Sequence, residues 1–130
     1  MMNTPKELKY SSDHEWVKID GDVAYIGVSD FAQSQLGDVV FVEIPDEGRE
    51  IKAGETFSVI ESVKAVSDII APVSGKIVKV NDALGDTPEL INQDPYGDAW
   101  IVAVELSDVS ELDALLDGDA YEKLTAEGGH

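Results

Sequence analysis

The 130-residue chain contains no cysteine, which removes disulfide frameworks, thiolate metal sites and cysteine nucleophiles together. Its two histidines, His14 and His130, are too few and too far apart for a metal cluster, and Asp20-Gly21-Asp22 lacks the further spaced ligands of a calcium loop. Basic residues are scarce as well. Nine Lys and Arg against 27 Asp and Glu leave a net charge of −18, which disfavours nucleic acid and anionic lipid and implies partners with basic faces. Neither a Gly-rich phosphate loop nor a Gly-x-Ser-x-Gly elbow is present. Carboxylate pairs arise by chance in so acidic a chain and carry no acid–base catalytic signal. No apolar run approaches the roughly 20 residues that cross a bilayer, and Met1-Met2-Asn3-Thr4-Pro5 has neither signal-peptide nor transit-peptide character. A cytoplasmic protein is expected, with an already processed organellar form as the alternative.

What remains is a β-rich chain with 43% apolar residues, enough for one domain over residues 1–130 with a core at about 14–106. Trp16–Ile19 and Val23–Val28 flank Asp20-Gly21-Asp22, a hairpin signal. Ser29 or Asp30 caps a short helix through Phe31–Leu36 that Gly37 stops. Strands are expected at Val39–Ile44, Thr56–Ser62, Asp68–Ala71, Lys76–Asn81 and Ala99–Leu106, separated by Pro45-Asp46-Glu47-Gly48 and Pro72-Val73-Ser74-Gly75. A C-terminal helical extension at about 108–126 starts with Asp108-Val109-Ser110-Glu111 as a capping signal, places Leu112, Leu115 and Leu116 on one helical face and ends at Gly118. Asp119 then caps a second short helix through Leu124, and Glu127–His130 is expected to fray.

Two features single out one region. Gly37-Asp38-Val39-Val40-Phe41-Val42 returns 38 residues later as Gly75-Lys76-Ile77-Val78-Lys79-Val80, and Thr56–Glu61 has a looser echo in Ala99–Glu105. The repeat predicts a quasi-twofold β-sandwich whose seam contains Lys64. Lys64 itself stands between Val59-Ile60-Glu61-Ser62-Val63 and Ala65-Val66-Ser67-Asp68-Ile69-Ile70. A lysine at a turn tip with slim neighbours is accessible to an acylating ligase. The same apolar positions also fit a helical stripe, but their β-branched density favours strands.

Glu61-Ser62-Val63-Lys64-Ala65-Val66-Ser67-Asp68-Ile69, followed by Ala71-Pro72-Val73-Ser74-Gly75, strongly resembles the attachment site of the H-protein family of the glycine cleavage system. The likeness extends through His14-Glu15-Trp16, Ile26-Gly27-Val28, Leu36–Val42, Pro88–Asn92 and Pro95-Tyr96, nearly the whole chain. Lipoyl domains in general have glycines 16 residues before and 11 after the modified lysine; here these are Gly48 and Gly75. Phe31 stands where the family usually has His or Tyr, and Ala99 where Gly usually precedes the tryptophan. Neither touches the attachment hairpin.

The resemblance implies a flattened β-sandwich, the barrel-sandwich hybrid of lipoyl and biotinyl carriers, with short helices added, and a monomeric carrier that is not an enzyme. Lipoic acid would join Lys64 as an amide. The arm would take an aminomethyl group from a pyridoxal-phosphate glycine decarboxylase, deliver it to a folate-dependent aminomethyltransferase and be reoxidised by dihydrolipoyl dehydrogenase, after loading by a lipoyl or octanoyl ligase or transferase. Glu61, three residues before the lysine, is expected to present the hairpin to the ligase. Glu15 and Asp68 match family positions that hold the arm's aminomethyl nitrogen in a surface cleft, with Asp13 as an alternative contributor. Other readings are a biotin carrier, which usually has methionines where Val63 and Ala65 stand, a lipoyl domain of a 2-oxoacid dehydrogenase, which usually continues through a Pro/Ala-rich linker absent here, an H-like protein relaying lipoyl groups, and an unmodified acidic interaction module.

Overall fold

The computed structural model describes residues 4–126; the expected fraying of Glu127–His130 lies outside them. Two antiparallel sheets account for the expected mainly-β fold. The larger sheet is built from β1 (Lys9–Tyr10), β2 (Glu15–Asp20), β3 (Val23–Val28), β5 (Glu50–Ile51), β8 (Gly75–Val80) and β9 (Val102–Leu106), in the order β1-β2-β3-β9-β8-β5. The smaller holds β4 (Val39–Val42), β6 (Thr56–Ser62) and β7 (Val66–Ile70), with β6 central. Alternation puts Ile26, Ile77 and Val104 of the first sheet and Val42, Phe57 and Ile60 of the second into one apolar core. A second cluster joins Leu8, Tyr10 and Trp16 to Tyr121.

The repeat is expressed in register as well as in sequence. β4 pairs with β6 through Val39↔Ser62, Phe41↔Glu61 and Val42↔Ile60, with an irregularity between Val39 and Phe41. β8 pairs with β9 through Ile77↔Val104, Lys79↔Ala103 and Val80↔Val102, with an irregularity between Ile77 and Lys79. Shifting β4 by 38 residues and β6 by 42 carries the first set of pairs onto the second, including the extra residue at the bulge. A bulge increases local twist and bends its strand, so its recurrence gives both strand pairs the same curvature. Gly75 opens β8 against β9 so closely that a Cβ there would collide with the carbonyl oxygen of Glu105, a backbone approach only glycine allows.

The β2–β3 hairpin forms as read, with Asp20 opposite Val23. Helix α1 (Asp30–Leu36) starts at Ser29, whose hydroxyl accepts from the Ala32 amide, and stops at Gly37. Three features differ from expectation. Strands β1 and β5 are two-residue pairings created by distant partners, and two short helices, α2 (Ala83–Asp86) and α3 (Leu90–Gln93), fill the connection from β8 to β9. The expected C-terminal helix is a 3-10 turn over Val109–Ala114, capped by Asp108 as read. Its leucines do not share one face: Leu112 and Leu115 pack on the main core while Leu116 packs on the second cluster. Gly118 therefore begins rather than ends a helix, α4 (Gly118–Ala126), and Asp117 instead of Asp119 caps it through the Ala120 amide at 2.8 Å.

Candidate functional site

Lys64 occupies the turn between β6 and β7, and its side chain is exposed. Ser62 closes that turn: its amide donates to the Ala65 carbonyl at 2.8 Å, and its hydroxyl accepts from the amides of Lys64 and Ala65 at 3.3 and 3.0 Å. A short side-chain oxygen bonded to its own turn is a local alternative to strand pairing and holds the tip without a long loop. Among the described residues no carboxylate lies within ion-pair distance of Lys64. Glu61 sits lower on β6, half-buried, with Phe41 and Val66 as its cross-strand neighbours.

A strap at Gly37–Val39 supports the tip. The Val63 amide donates to the Asp38 carbonyl at 3.0 Å. Gly37 has φ 76° and ψ −153°, a backbone region essentially confined to glycine, and a Cβ there would lie 3.3 Å from Lys64 Cε. The bare glycine thus leaves room for the lysine stem. Asn92 of α3 fixes the strap: its carboxamide oxygen accepts from the Val39 amide at 2.8 Å, and its NH2 donates to the Gly37 carbonyl at 2.8 Å and to Gln33 Oε1 at 3.0 Å. Sequence reading placed Asn92 only within a family motif. Its role comes from an amide that has both donor and acceptor capacity, brought across 53 residues to Val39.

Beside the hairpin lies a cleft of about 430 Å³. Phe31, Ala32 and Leu36 of α1 and Val66 and Ile69 of β7 give it apolar walls, and Asp13 and Asp68 give it carboxylates. Asp68 is exposed on β7. Glu15 does not line the cleft. It is 2% exposed, turned inward on β2, where Oε1 accepts from the Ser11 hydroxyl at 2.5 Å. Burial pushes its carboxyl up to about 8, opposed by the Ser11 hydrogen bond, reinforced by the charge of Asp13 and opposed by the Ile70 amide. The expected pair of Glu15 and Asp68 is thus replaced at the cleft surface by Asp13 and Asp68. The tight turn at Ser11–His14 is the cause, because it directs Asp13 outward and returns Glu15 to the sheet.

His14, also on the cleft wall, is held with φ 73°, a strained value for a non-glycine residue. Its Nδ1 lies 2.7 Å from the Tyr121 hydroxyl, which lies 2.6 Å from Ser29 Oγ. Ser29 is fully buried and already accepts from Ala32. Imidazole, phenol and hydroxyl thus form one continuous hydrogen-bonded chain from the cleft wall to the start of α1. The C-terminal helix, with Tyr121 stacked on Tyr10 at 4.5 Å, fixes the imidazole plane against the cleft.

The glycine cleavage H-protein family matches residues 8–128. The chain belongs to that family. The glycine cleavage system H protein of Symbiobacterium thermophilum is 57% identical over 128 residues, covering 98% of this chain and 100% of that one. The H protein of Carboxydothermus hydrogenoformans is 55% identical over 129 residues, 99% of each chain. The crystal structure of the H protein from Mycobacterium marinum superposes with a TM-score of 0.84 at 41% identity, covering 95% of this chain and 98% of that one. The lipoyl-carrier β-sandwich and the carrier function in the glycine cleavage system are therefore those of the family, as the attachment motif implied. Among the described residues no helix is long and apolar enough to cross a membrane.

Proposed function

We propose that Lys64 carries lipoic acid as an amide and that the protein acts through this arm as a non-catalytic carrier, a single lipoyl domain working in the cytoplasm. The observation that carries the reading is the exposed Lys64 at a braced hairpin tip beside a cleft with apolar walls and acidic side chains. Those walls fit a hydrocarbon arm, and the carboxylates fit an ammonium at its end. The lipoyl disulfide, when bound, supplies a sulfur that accepts the aminomethyl group and a two-electron couple.

This chain's residues supply placement and shelter. Ser62, Gly37 and Asn92 hold the tip so that the lysine amine stands clear for a ligase, and Glu61 presents the hairpin to that enzyme. Asp13 and Asp68 favour the protonated form of an amine in the cleft, because an adjacent negative charge raises an ammonium pKa. Protonation occupies the nitrogen lone pair that would otherwise expel a thiolate from the same carbon. Glu15 supports the turn beneath them as a buried acid. The partners are the glycine decarboxylase, the aminomethyltransferase, dihydrolipoyl dehydrogenase and the lipoyl ligase or transferase; attachment at one point raises the arm's local concentration at each without tight docking.

The test is intact mass after expression with lipoate and without it. A mass gain confined to the lipoate sample and mapped to the Lys64 peptide supports the assignment. An unmodified Lys64 under both conditions, in cells that lipoylate a control domain, overturns it.

A further inference from the structure

The outer face of the three-stranded sheet carries two cross-strand rows, Phe41–Glu61–Val66 and Glu43–Val59–Asp68; the Glu43 amide bonds to the Val59 carbonyl. Directly opposed strand residues project to the same side, so apolar and acidic side chains alternate there in both directions. Phe41 is 49% exposed, Val66 66% and Val63, at the tip beside Lys64, 69%. The fold does not require an apolar residue at position 41. The equivalent position in the second half of the repeat, at the same bulge and in the same register, is Lys79, also exposed. Among the described residues, none of Glu43, Glu61 and Asp68 has a lysine or arginine at ion-pair distance.

From this asymmetry we infer that the outer face of β4, β6 and β7 is the docking surface for the glycine decarboxylase, at an active-site entrance that offers an apolar socket rimmed by Lys and Arg, with Phe41 as the anchor. The inference rests on the carrier reading and adds the surface by which the carrier is recognised. A second copy of the chain is the poorer occupant: it would set Glu43, Glu61 and Asp68 against their own images on a molecule of net charge −18, and like charges facing each other across an interface are repelled. The bulge on edge strand β4 likewise impedes edge-to-edge pairing. An exposed aromatic surrounded by unpaired carboxylates suits an interface in which the aromatic fills a pocket and the charges set encounter rate and orientation.

The probe is glycine decarboxylase from the same organism, with two readouts: calorimetric affinity for the unlipoylated chain, and the concentration of lipoylated chain that half-saturates glycine-dependent carbon dioxide exchange. Phe41→Lys, borrowed from position 79, and the uncharged Phe41→Gln should each weaken binding and raise the half-saturating concentration about tenfold with the maximal rate retained. Lys79→Ala should change neither. Affinity of the parent should fall as salt rises. Unchanged affinity in both Phe41 variants overturns the inference, as does a parent that sediments as a dimer and becomes a monomer on Phe41→Gln. Val66→Thr, which keeps a β-branched residue in β7, gives a second independent anchor test if a Phe41 variant fails to fold. Because binding is read on the unlipoylated chain, failure of lipoylation would overturn the carrier reading and leave this result to stand or fall alone.

Discussion

Of two grooves on this surface, the larger is the less informative. At the far end of β7 from Lys64, a groove of about 760 Å³ is lined by Glu50, Lys52, Glu55, Lys76, Glu105 and Glu111 among others. Two of its acids, Glu111 and Glu55, already have partners. Ser74 donates its amide and hydroxyl to Glu111 at 2.6 and 2.8 Å, and Arg49 lies 3.7 Å from Glu55. The cleft beside the hairpin is about 430 Å³, and no lysine or arginine lines it. In the distal groove Lys52 and Lys76 lie among the carboxylates and compete with an ammonium group for them; the two carboxylates of the near cleft stand over apolar walls with no lysine or arginine beside them. Charge pattern and nearness to an attachable lysine, not volume, separate the functional cleft from a surface depression.

The largest expected effect tests attachment itself. Lys64→Arg keeps the positive charge but cannot form the amide, so lipoylation falls to zero by intact mass and peptide mapping. A lipoyl group found instead on Lys52 or Lys76 would transfer the function to the distal groove and break the comparison.

Next in size is a pH dependence seated beneath the near cleft. The folded chain holds the Glu15 proton to about pH 8, whereas the unfolded chain releases it near 4.5. The folded state therefore binds more protons between these values. Its stability falls as pH rises through that window and levels off above it, by a total on the order of 5 kcal/mol. Glu15→Gln, neutral at every pH, should flatten this slope, so that urea midpoints of the variant overtake those of the parent at about pH 9 and not at about pH 5. Parallel curves for the two proteins would place the titration elsewhere.

A third contrast sets the two grooves against each other chemically. With the lipoyl arm reduced to its dithiol and loaded from formaldehyde and ammonia, which condense on one sulfur with loss of water, Asp13→Asn and Asp68→Asn should each hasten spontaneous loss of the aminomethyl group. A loss of about one unit in ammonium pKa gives about tenfold. Glu111→Gln in the distal groove should leave that rate alone. Instead it lowers stability by about 1 kcal/mol, because a neutral amide replaces a charge-assisted acceptor. Equal rates in all the variants and the parent would remove the protective role of the near cleft.

How much of this was legible in the sequence depends on how local the cause is. The β2–β3 turn, the Ser29 cap and Gly37 stop of α1, and the Lys64 hairpin each follow from residues adjacent in the chain. The repeat pointed to a quasi-twofold sandwich; that its two halves share a register and a bulge depends on β6 and β9, whose echo in the sequence is looser. The two-residue strands β1 and β5 have no signal of their own; their hydrogen bonds depend on partners folded elsewhere. The C-terminal leucines fit a helical period, yet Leu116 pairs with Tyr10 as an isolated bridge and draws the chain out of the helix. Glu15 shows the same limit at the site. Its position in a family motif pointed to the cleft, but the turn at Ser11–His14 decides that Asp13 faces outward and Glu15 inward.

The smallest predicted effect concerns the one side chain that connects α3 to the attachment tip. Asn92 makes three hydrogen bonds, to Val39, Gly37 and Gln33, and the strap it fixes accepts the Val63 amide through Asp38. Removing the carboxamide leaves polar backbone groups with weaker partners, which costs about 1–2 kcal/mol. The more telling change is local. In Asn92→Ala the strap is free to shift, the tip loses its outside anchor, and the Val63 amide exchanges faster with solvent than the rest of β6. Lysine presentation becomes less ordered, so lipoylation slows by about threefold through a higher half-saturating concentration of the carrier, while the end point remains complete. Asn92→Asp keeps an acceptor for Val39 but sets a carboxylate oxygen against the Gly37 carbonyl and Gln33 Oε1, so it should be no milder than alanine. Hydrogen exchange at Val63 and the time course of lipoylation separate this from a general loss of stability: if Val63 is as protected in Asn92→Ala as in the parent and lipoylation keeps its rate, the strap is a packing feature and the near cleft's advantage lies in its acids alone.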